Sequence, residues 1–441
     1  MAKQGAKTAV PRLRFPEFRG ASEWSTKSMN RLYSFMRNNI LSRDKLNYEF
    51  GLAKNIHYGD IHTKFPAIFD ITQELVPFIN ESEVVPDAAS EDYCVEGDLI
   101  FADASEDMGD VGKSMEIVRL AGERLLSGQH TILARRRDDA LIVGFGGHLF
   151  RSGLIRSRIE KEAQGTKVYQ ISSSRLGGID VTFPSDRAEQ QKIANCLASL
   201  DDVIAAQGRK VKALNAHKRG LMQQLFPREG ETRPRLRFPE FRNSPEWTEK
   251  TLRSVCERIM DGTHFSPKSK SGPRPYLTSK NIRDGRIDLS NMSYVSEDEH
   301  REIYAKCPVR KFDVLLTKDG ANTGNCTINT LDYEFSLLSS VAVLRAECTQ
   351  ISQDFLYQVL ASERMQRTII NSMSGQAITR ITLEKLGSYT IPLASLLEQQ
   401  RIADCLSSLD TQITAEANQL AALKTHKQGL MQQLFPLVER A

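Results

Sequence analysis

The chain reads as an α+β protein in which two globular heads are separated by two long antiparallel coiled-coil helices with pseudo-twofold symmetry. Three observations lead there. Residues 189–227 (EQQKIANCLASLDDVIAAQGRKVKALNAHKRGLMQQLFP) return at 398–436 with 24 of 39 positions identical and no gap. A shorter repeat, PRLRFPEFR at 11–19, returns at 234–242. Between these duplicated pieces lie two long segments of dissimilar sequence, so the frame is repeated while the parts it carries have diverged.

Each element follows in order. Residues 1–21 form a tail and an arm, the arm too rich in Pro and Arg for a helix. Residues 22–185 alternate short β-rich runs, such as Asp98-Leu-Ile-Phe101 and His130-Thr-Ile-Leu-Ala134, with glycine turn signals, as expected of an α+β head. The first long helix, 186–227, opens on Asp186-x-x-Glu189, an Asp version of the capping box, and stops at Leu-Phe-Pro227. Residues 228–244 hold the connector and second arm, 245–394 the second head, and 395–441 the second long helix, opened by Ser395-x-x-Glu398. Apolar residues recur at alternating spacings of three and four. In the first helix they are Ile193, Leu197, Leu200, Ile204, Val211, Leu214 and Leu221; in the second, Ile402, Leu406, Leu409, Ile413, Leu420, Leu423 and Leu430. Polar residues interrupt the same two seam positions in both copies, Gln207 and Lys218 in one, Glu416 and Lys427 in the other. Shared interruptions of a heptad seam predict that the two helices face each other.

The bulk composition narrows the function. With 441 residues, 40% hydrophobic and 26% charged, the chain is long enough for more than one core and has an ordinary globular balance. No run of 18 apolar residues occurs and the first residues lack a secretory apolar stretch, so the expectation is a cytoplasmic protein without a membrane span. Seven cysteines form no C-x-x-C pair, which fits reduced thiols. A net charge of +4 is small for a protein that would hold nucleic acid by bulk charge alone, so any DNA contact is local or shared with a partner.

With the tandem order in view, the chain resembles the specificity (S) subunit of type I restriction-modification systems. The resemblance rests on Glu-Gln-Gln-(Lys/Arg)-Ile-Ala leading each helix, Gln-Gln-Leu-Phe-Pro closing each, and stretches such as Tyr276-Leu-Thr-Ser-Lys-Asn-Ile-Arg and Asp313-Val-Leu-Leu-Thr-Lys-Asp-Gly in the heads. It implies two target-recognition domains, each reading one half of a split site in double-stranded DNA, with helices that set the unread gap and dock two methyltransferase (M) subunits. It also implies a non-catalytic chain with no cofactor of its own. S-adenosylmethionine would sit in the methyltransferase partner, and ATP with Mg in the restriction (R) subunits.

Base edges in the major groove are read by Arg or Lys, by Asn or Gln, and by acids. Loops with that chemistry supply His57, His62, Lys64, Lys113 and Lys167 in the first head. In the second they supply Lys280, Asn281, Lys318, Asn322, Thr323, Gln376 and Arg380. Arg12, Arg14 and Arg19, with Arg235, Arg237 and Arg242, are expected to serve structure and subunit docking. Rival motifs fail on their own requirements. Gly112-Lys113-Ser114 lacks the first P-loop glycine, since position 107 is Asp, and Gly144-Phe-Gly-Gly147 has no Pro-Pro-Tyr/Phe companion. His57, Asp60 and His62 have no metal-ligand spacing. A non-enzymatic scaffold with protein-binding heads is the competing class.

Overall fold

In the computed structural model, which describes residues 11–83, 90–269, 271–373 and 380–436, the chain divides into two compact units. One comprises residues 1–207 with 420–441, the other 208–419. Each unit therefore holds one head, the near half of one long helix and the far half of the other.

In the first unit a five-stranded sheet runs in the order Tyr33–Met36, Thr131–Arg136, Leu99–Ala102, Ser114–Arg119, Ile68–Asp70, antiparallel except for the last pair. Strand Leu99–Ala102 is apolar at every position because both of its faces are covered. Leu99 and Phe101 face the core that contains the helix ends, and Ile100 and Ala102 face a second core with Ile56, Phe69 and Leu133. The second unit repeats the plan with an antiparallel sheet ordered Cys256–Asp261, Val341–Ala346, Val314–Thr317, Cys326–Ile328. Val314 and Leu316 turn to the helix side, Leu315 to the other.

The long helices are Arg187–Leu225 and Leu396–Leu434, 39 residues each, or about 58 Å. Their starts differ from the expected capping boxes in one respect. Asp186 does accept from the Ala188 amide (2.8 Å), and Ser395 Oγ accepts from the Glu398 amide (3.4 Å). The glutamates do not reach back to close the box. Glu189 takes both of its oxygens to the Arg14 guanidinium (2.7 and 2.6 Å), and Glu398 does the same with Arg237 (2.7 and 2.7 Å). Both carboxylates are 1% exposed, and a buried carboxylate needs two strong donors, which a bidentate guanidinium supplies. Arg14 and Arg237 thus tie each arm to a helix, while Arg12, Arg19, Arg235 and Arg242 are exposed.

The neighbouring glutamines tie the helices to the heads. Gln190 accepts from the Ile142 amide and donates to the Ala140 and Pro184 carbonyls; Gln399 accepts from the Ser352 amide and donates to the Gln350 and Ala394 carbonyls. Both side chains are fully buried.

Within each unit the two helix segments run antiparallel. In the first, Ile193, Ala194 and Leu197 share a core with Leu430, Met431, Leu434 and Phe435, and Asp201 pairs with Lys427. In the second, Ile402, Ala403 and Leu406 pack with Leu221, Met222, Leu225 and Phe226, and Asp410 pairs with Lys218 at 2.6 Å. The expected seam residues Leu200, Ile204, Val211, Leu214, Leu409, Ile413, Leu420 and Leu423 are half-buried and none is exposed. The polar interruptions are used: besides Lys218 and Lys427, Glu416 meets Lys210 at 2.5 Å, and Gln207 is buried. Polar groups at seam positions specify register, since a slipped pairing would strand a charge.

A turn shows how the two heads diverged. In the first head residues 95–98 form a turn closed by the Asp98 amide on the Val95 carbonyl, with Gly97 at φ +92°; Asp98 then accepts from the Val95 amide and holds Arg135. The second head repeats this at 310–313 with Asp313 and Arg345, but puts Phe312 at φ +74°, where it is 59% exposed. A Cβ in the left-handed region costs about 1 kcal/mol. Phe312→Gly is therefore expected to raise the melting temperature of the second unit, measured by calorimetry, by a stabilisation of about 1 kcal/mol.

Buried in the first head, Glu116 accepts from the Gly147 amide with one oxygen (2.7 Å) while the other has no hydrogen-bond partner. Burial pushes its carboxyl up to about 7. The folded protein then holds a proton that the unfolded chain has lost, so stability is greatest below about 4.5 and falls as pH rises toward 7. Glu116→Gln is expected to remove that fall, worth about 3 kcal/mol, in urea unfolding followed from pH 5 to 8.

Candidate nucleic-acid interface

At one end of each head's central sheet the strands give way to polar loops, and the structure gathers there most of the residues whose chemistry suits base reading. In the first head, helix Tyr58–Thr63 lies beside the loop that follows strand Leu99–Ala102. His62 Nε2 is 2.9 Å from the Ala104 carbonyl, and Lys113 Nζ donates to the His62 carbonyl at 2.9 Å and pairs with Asp110. Tyr169–Gln170 pairs with Ala104–Ser105, which attaches the turn carrying the exposed Lys167 to the same loop.

These residues do not all present themselves as expected. His57 is the N-cap of helix Tyr58–Thr63: its Nδ1 accepts from the Gly59 amide (3.2 Å). Burial, and then the nearby Arg43, hold its pKa below the usual imidazole value. His62 and Lys113 are largely spent on carbonyls. Lys64 remains exposed, bridging Asp60 (2.9 Å) and the Tyr48 hydroxyl (3.2 Å).

In the second head, three loops converge in the same way. The Ser279 amide donates to Ser340 Oγ (3.1 Å), Asn322 Nδ2 donates to the Ser279 carbonyl (3.4 Å), and the Ile381 amide donates to the Lys318 carbonyl (2.9 Å). Arg380 bridges to Asp319 beside them. Two expectations need correction. Lys318 is 1% exposed and its Nζ is committed to Asp261 at 3.1 Å. Asn281 is 4% exposed; its Oδ1 accepts from the Thr278 amide and its Nδ2 donates to the Asp288 and Asn291 carbonyls. Both are interior braces of the loops. A short polar side chain next to a turn is consumed by the turn's own unpaired amides, which residue type alone does not reveal. Thr323 likewise donates to the Gly320 carbonyl (2.6 Å). Lys280 and Arg380 are exposed, and Gln376 lies outside the described residues.

The sequence reading missed several groups at these tips: Arg43 and His130 in the first head, and His264 and Phe265 in the second. Phe265 is 79% exposed, and His264 stands 3.4 Å from Asp261. For His130 the signal was present, a Gly-Gln-His turn at the start of a strand, but it was read as part of the strand.

Ladder register aligns the two tips. Thr131 faces Ala102 as Val341 faces Thr317; the Asp103 amide donates to the His130 carbonyl as the Lys318 amide donates to the Ser340 carbonyl. At matched positions the first head thus carries Asp103 and His130 where the second carries Lys318 and Ser340. The two duplicated scaffolds therefore carry different side chains at the same place in their tips. The described residues contain no group of acidic, His and Cys side chains placed to hold a metal, and no helix long and apolar enough to cross a membrane.

The class so defined is a two-headed recognition protein on a duplicated helical frame. Residues 245–425 match the family described as the type I restriction modification DNA specificity domain. The chain is 24% identical over 289 residues to the type I restriction enzyme MjaVIII specificity subunit of Methanocaldococcus jannaschii, covering 64% of this chain and 67% of the relative. It is 21% identical to the MjaX specificity subunit of the same organism over 94% of this chain and 93% of that one. The crystal structure of the S subunit of the Mycoplasma genitalium type I system shares the fold with a TM-score of 0.58 at 17% identity, over 97% of this chain and 99% of that one. Over residues 245–425 the chain is thus similar to the type I restriction modification DNA specificity domain, along most of its length it is similar in sequence to type I specificity subunits, and it shares the fold of an S subunit.

Lys318 offers a test of its place in the interior. Lys318→Met takes the lysine from the half-buried Asp261 and leaves it only His264 at 3.4 Å, which costs about 3 kcal/mol. The expected result is a large loss of thermal stability in the second unit; loss of DNA affinity at unchanged stability would contradict it.

Proposed function

We propose that this chain is the DNA-reading subunit of a type I restriction-modification complex, each head reading one half of a bipartite, asymmetric site in double-stranded DNA. The observation that carries the reading is the contrast within each unit. Arm, Arg–Glu pair, buried Gln and helix pairing are duplicated residue for residue, whereas the tips differ in charge and shape. A frame built twice suits partners bound twice, namely two methyltransferase subunits docked on the helices. Tips built differently suit two unlike half-sites. The stiffness of each helix fixes the unread gap as a length, not as a base contact.

On this reading the chain performs no chemistry. Adenine methylation with S-adenosylmethionine belongs to the methyltransferase subunits, and cleavage driven by ATP with Mg to restriction subunits, within a cytoplasmic complex. The tips' own part is to place donors and acceptors against base edges while exposed Lys64, Lys167, Lys280 and Arg380 meet phosphates, a salt-sensitive contribution.

The test is a methylome map. The chain is co-expressed with its cognate methyltransferase subunit in a host free of adenine methylation, and modified adenines are read across the genome. One split motif with two defined halves and a constant gap is the expected result. A soluble complex that binds S-adenosylmethionine yet leaves the genome unmodified would overturn the proposal and favour a scaffold with protein-binding heads.

A further inference from the structure

We propose that His130 is a specificity-determining residue of the first head, reading the exocyclic amino group of an adenine or cytosine through its Nε2. The inference rests on the DNA-reading function above and deepens it.

Four observations converge on this side chain. His130 has φ +57°, one of three non-glycine residues with positive φ among those described. Such strain is retained where the surroundings or the function demand a particular side chain. Its ring sits at the tip, edge-on to Tyr58 with centroids 5.3 Å apart, and Tyr58 in turn contacts His57 at 4.6 Å. These three rings form a rigid aromatic ledge among the loops that the base-reading chemistry singled out.

The third observation is the carboxylate beside the ring. His130 Nδ1 lies 3.3 Å from Asp103 Oδ1, an oxygen with no aligned hydrogen bond of its own. A carboxylate beside Nδ1 favours the proton there, since it accepts and cannot donate when ionised. In the neutral ring Nε2 is then a lone-pair acceptor. It makes no hydrogen bond among the described residues, and the side chain is 45% exposed. In the major groove an acceptor is matched by the N6 amino group of adenine or the N4 amino group of cytosine.

The fourth is the comparison with the other head. Ser340, at the position matching His130, spends its hydroxyl on the Ser279 amide, and Lys318, matching Asp103, is sealed against Asp261. The Asp103–His130 pair therefore has no counterpart at the matched positions of the second head, whose own Asp261–His264 pair is built on other residues, and it would act on one half-site only.

The test uses the full chain in complex with its methyltransferase partner. His130→Gly removes the ring and relaxes the backbone, because glycine accepts φ +57° without strain. A merely structural histidine would lose stability on truncation. Here the melting temperature is expected to hold or rise, while one base pair in one half of the methylation motif becomes degenerate and the other half and the gap stay unchanged. Duplexes then carry, at that position, purine in place of adenine or 2-pyrimidinone in place of cytosine, each lacking only the amino group. The unsubstituted protein is expected to bind them about tenfold more weakly, and the His130→Gly protein to bind them as it binds the natural site. An unchanged motif in His130→Gly, relaxation in both halves, or full binding of the amino-less duplexes by the unsubstituted protein would overturn the assignment. A wild-type complex that methylates no motif would instead overturn the DNA-reading function itself.

Discussion

Everything in this protein depends on the Glu-Gln pair that opens each long helix. Glu189 and Glu398 are carboxylates with almost no solvent, and each would be intolerable without the bidentate arginine that an arm delivers to it. The next residue, Gln190 or Gln399, uses all of its reach on backbone groups of the head. Two adjacent side chains on one helical turn thus join arm, helix and head. A hydrophobic contact would hold these parts together but leave their orientation loose, since burial has no direction; hydrogen bonds to fixed amides and carbonyls supply the direction. Trp24 on Phe435 and Trp247 on Phe226 then seal the joint with edge-on aromatic contacts.

The helix seam follows the same division of labour. Leucine and isoleucine supply the area, and the ion pairs Asp201–Lys427 and Asp410–Lys218 supply the register. In the second unit Gln358, from helix Gln353–Ala361 of the head, also donates to Asp410 at 3.0 Å, so the head senses the register of the seam directly. The matching residue of the first head is His148, fully buried and held near pKa 3 by burial and then by Lys427, so it stays neutral under any physiological condition. Rigid seating of a recognition head matters because base edges discriminate only when donors arrive within tenths of an ångström.

The tips obey a different constraint. Loops that turn sharply leave backbone amides and carbonyls unpaired, and nearby polar side chains are recruited to satisfy them. His57, Asn281 and Thr323 were absorbed in this way. What remains free to address a ligand is the smaller set that the turns do not need, and in the first head that set includes a strained histidine supported by an acid and a tyrosine.

The duplicated helices, their starts within a residue, their apolar seam and polar interruptions, the arms and the two-headed α+β plan were all legible in the sequence by itself, because periodicity and repetition are local properties of the chain. Whether a polar residue faces solvent is not local. Lys318 and Asn281 carry the right chemistry for DNA, yet Asp261 lies 57 residues from one and the Asn291 carbonyl ten residues from the other, distances along the chain that folding closes and sequence does not display. The same holds for Arg14 with Glu189, separated by 175 residues, and for His130, Asp103 and Tyr58, which meet only when two strands and a helix converge. Sequence determined the frame, since each helix is specified by its own spacing; tertiary structure decided the site, since a site is made of residues whose partners come from elsewhere.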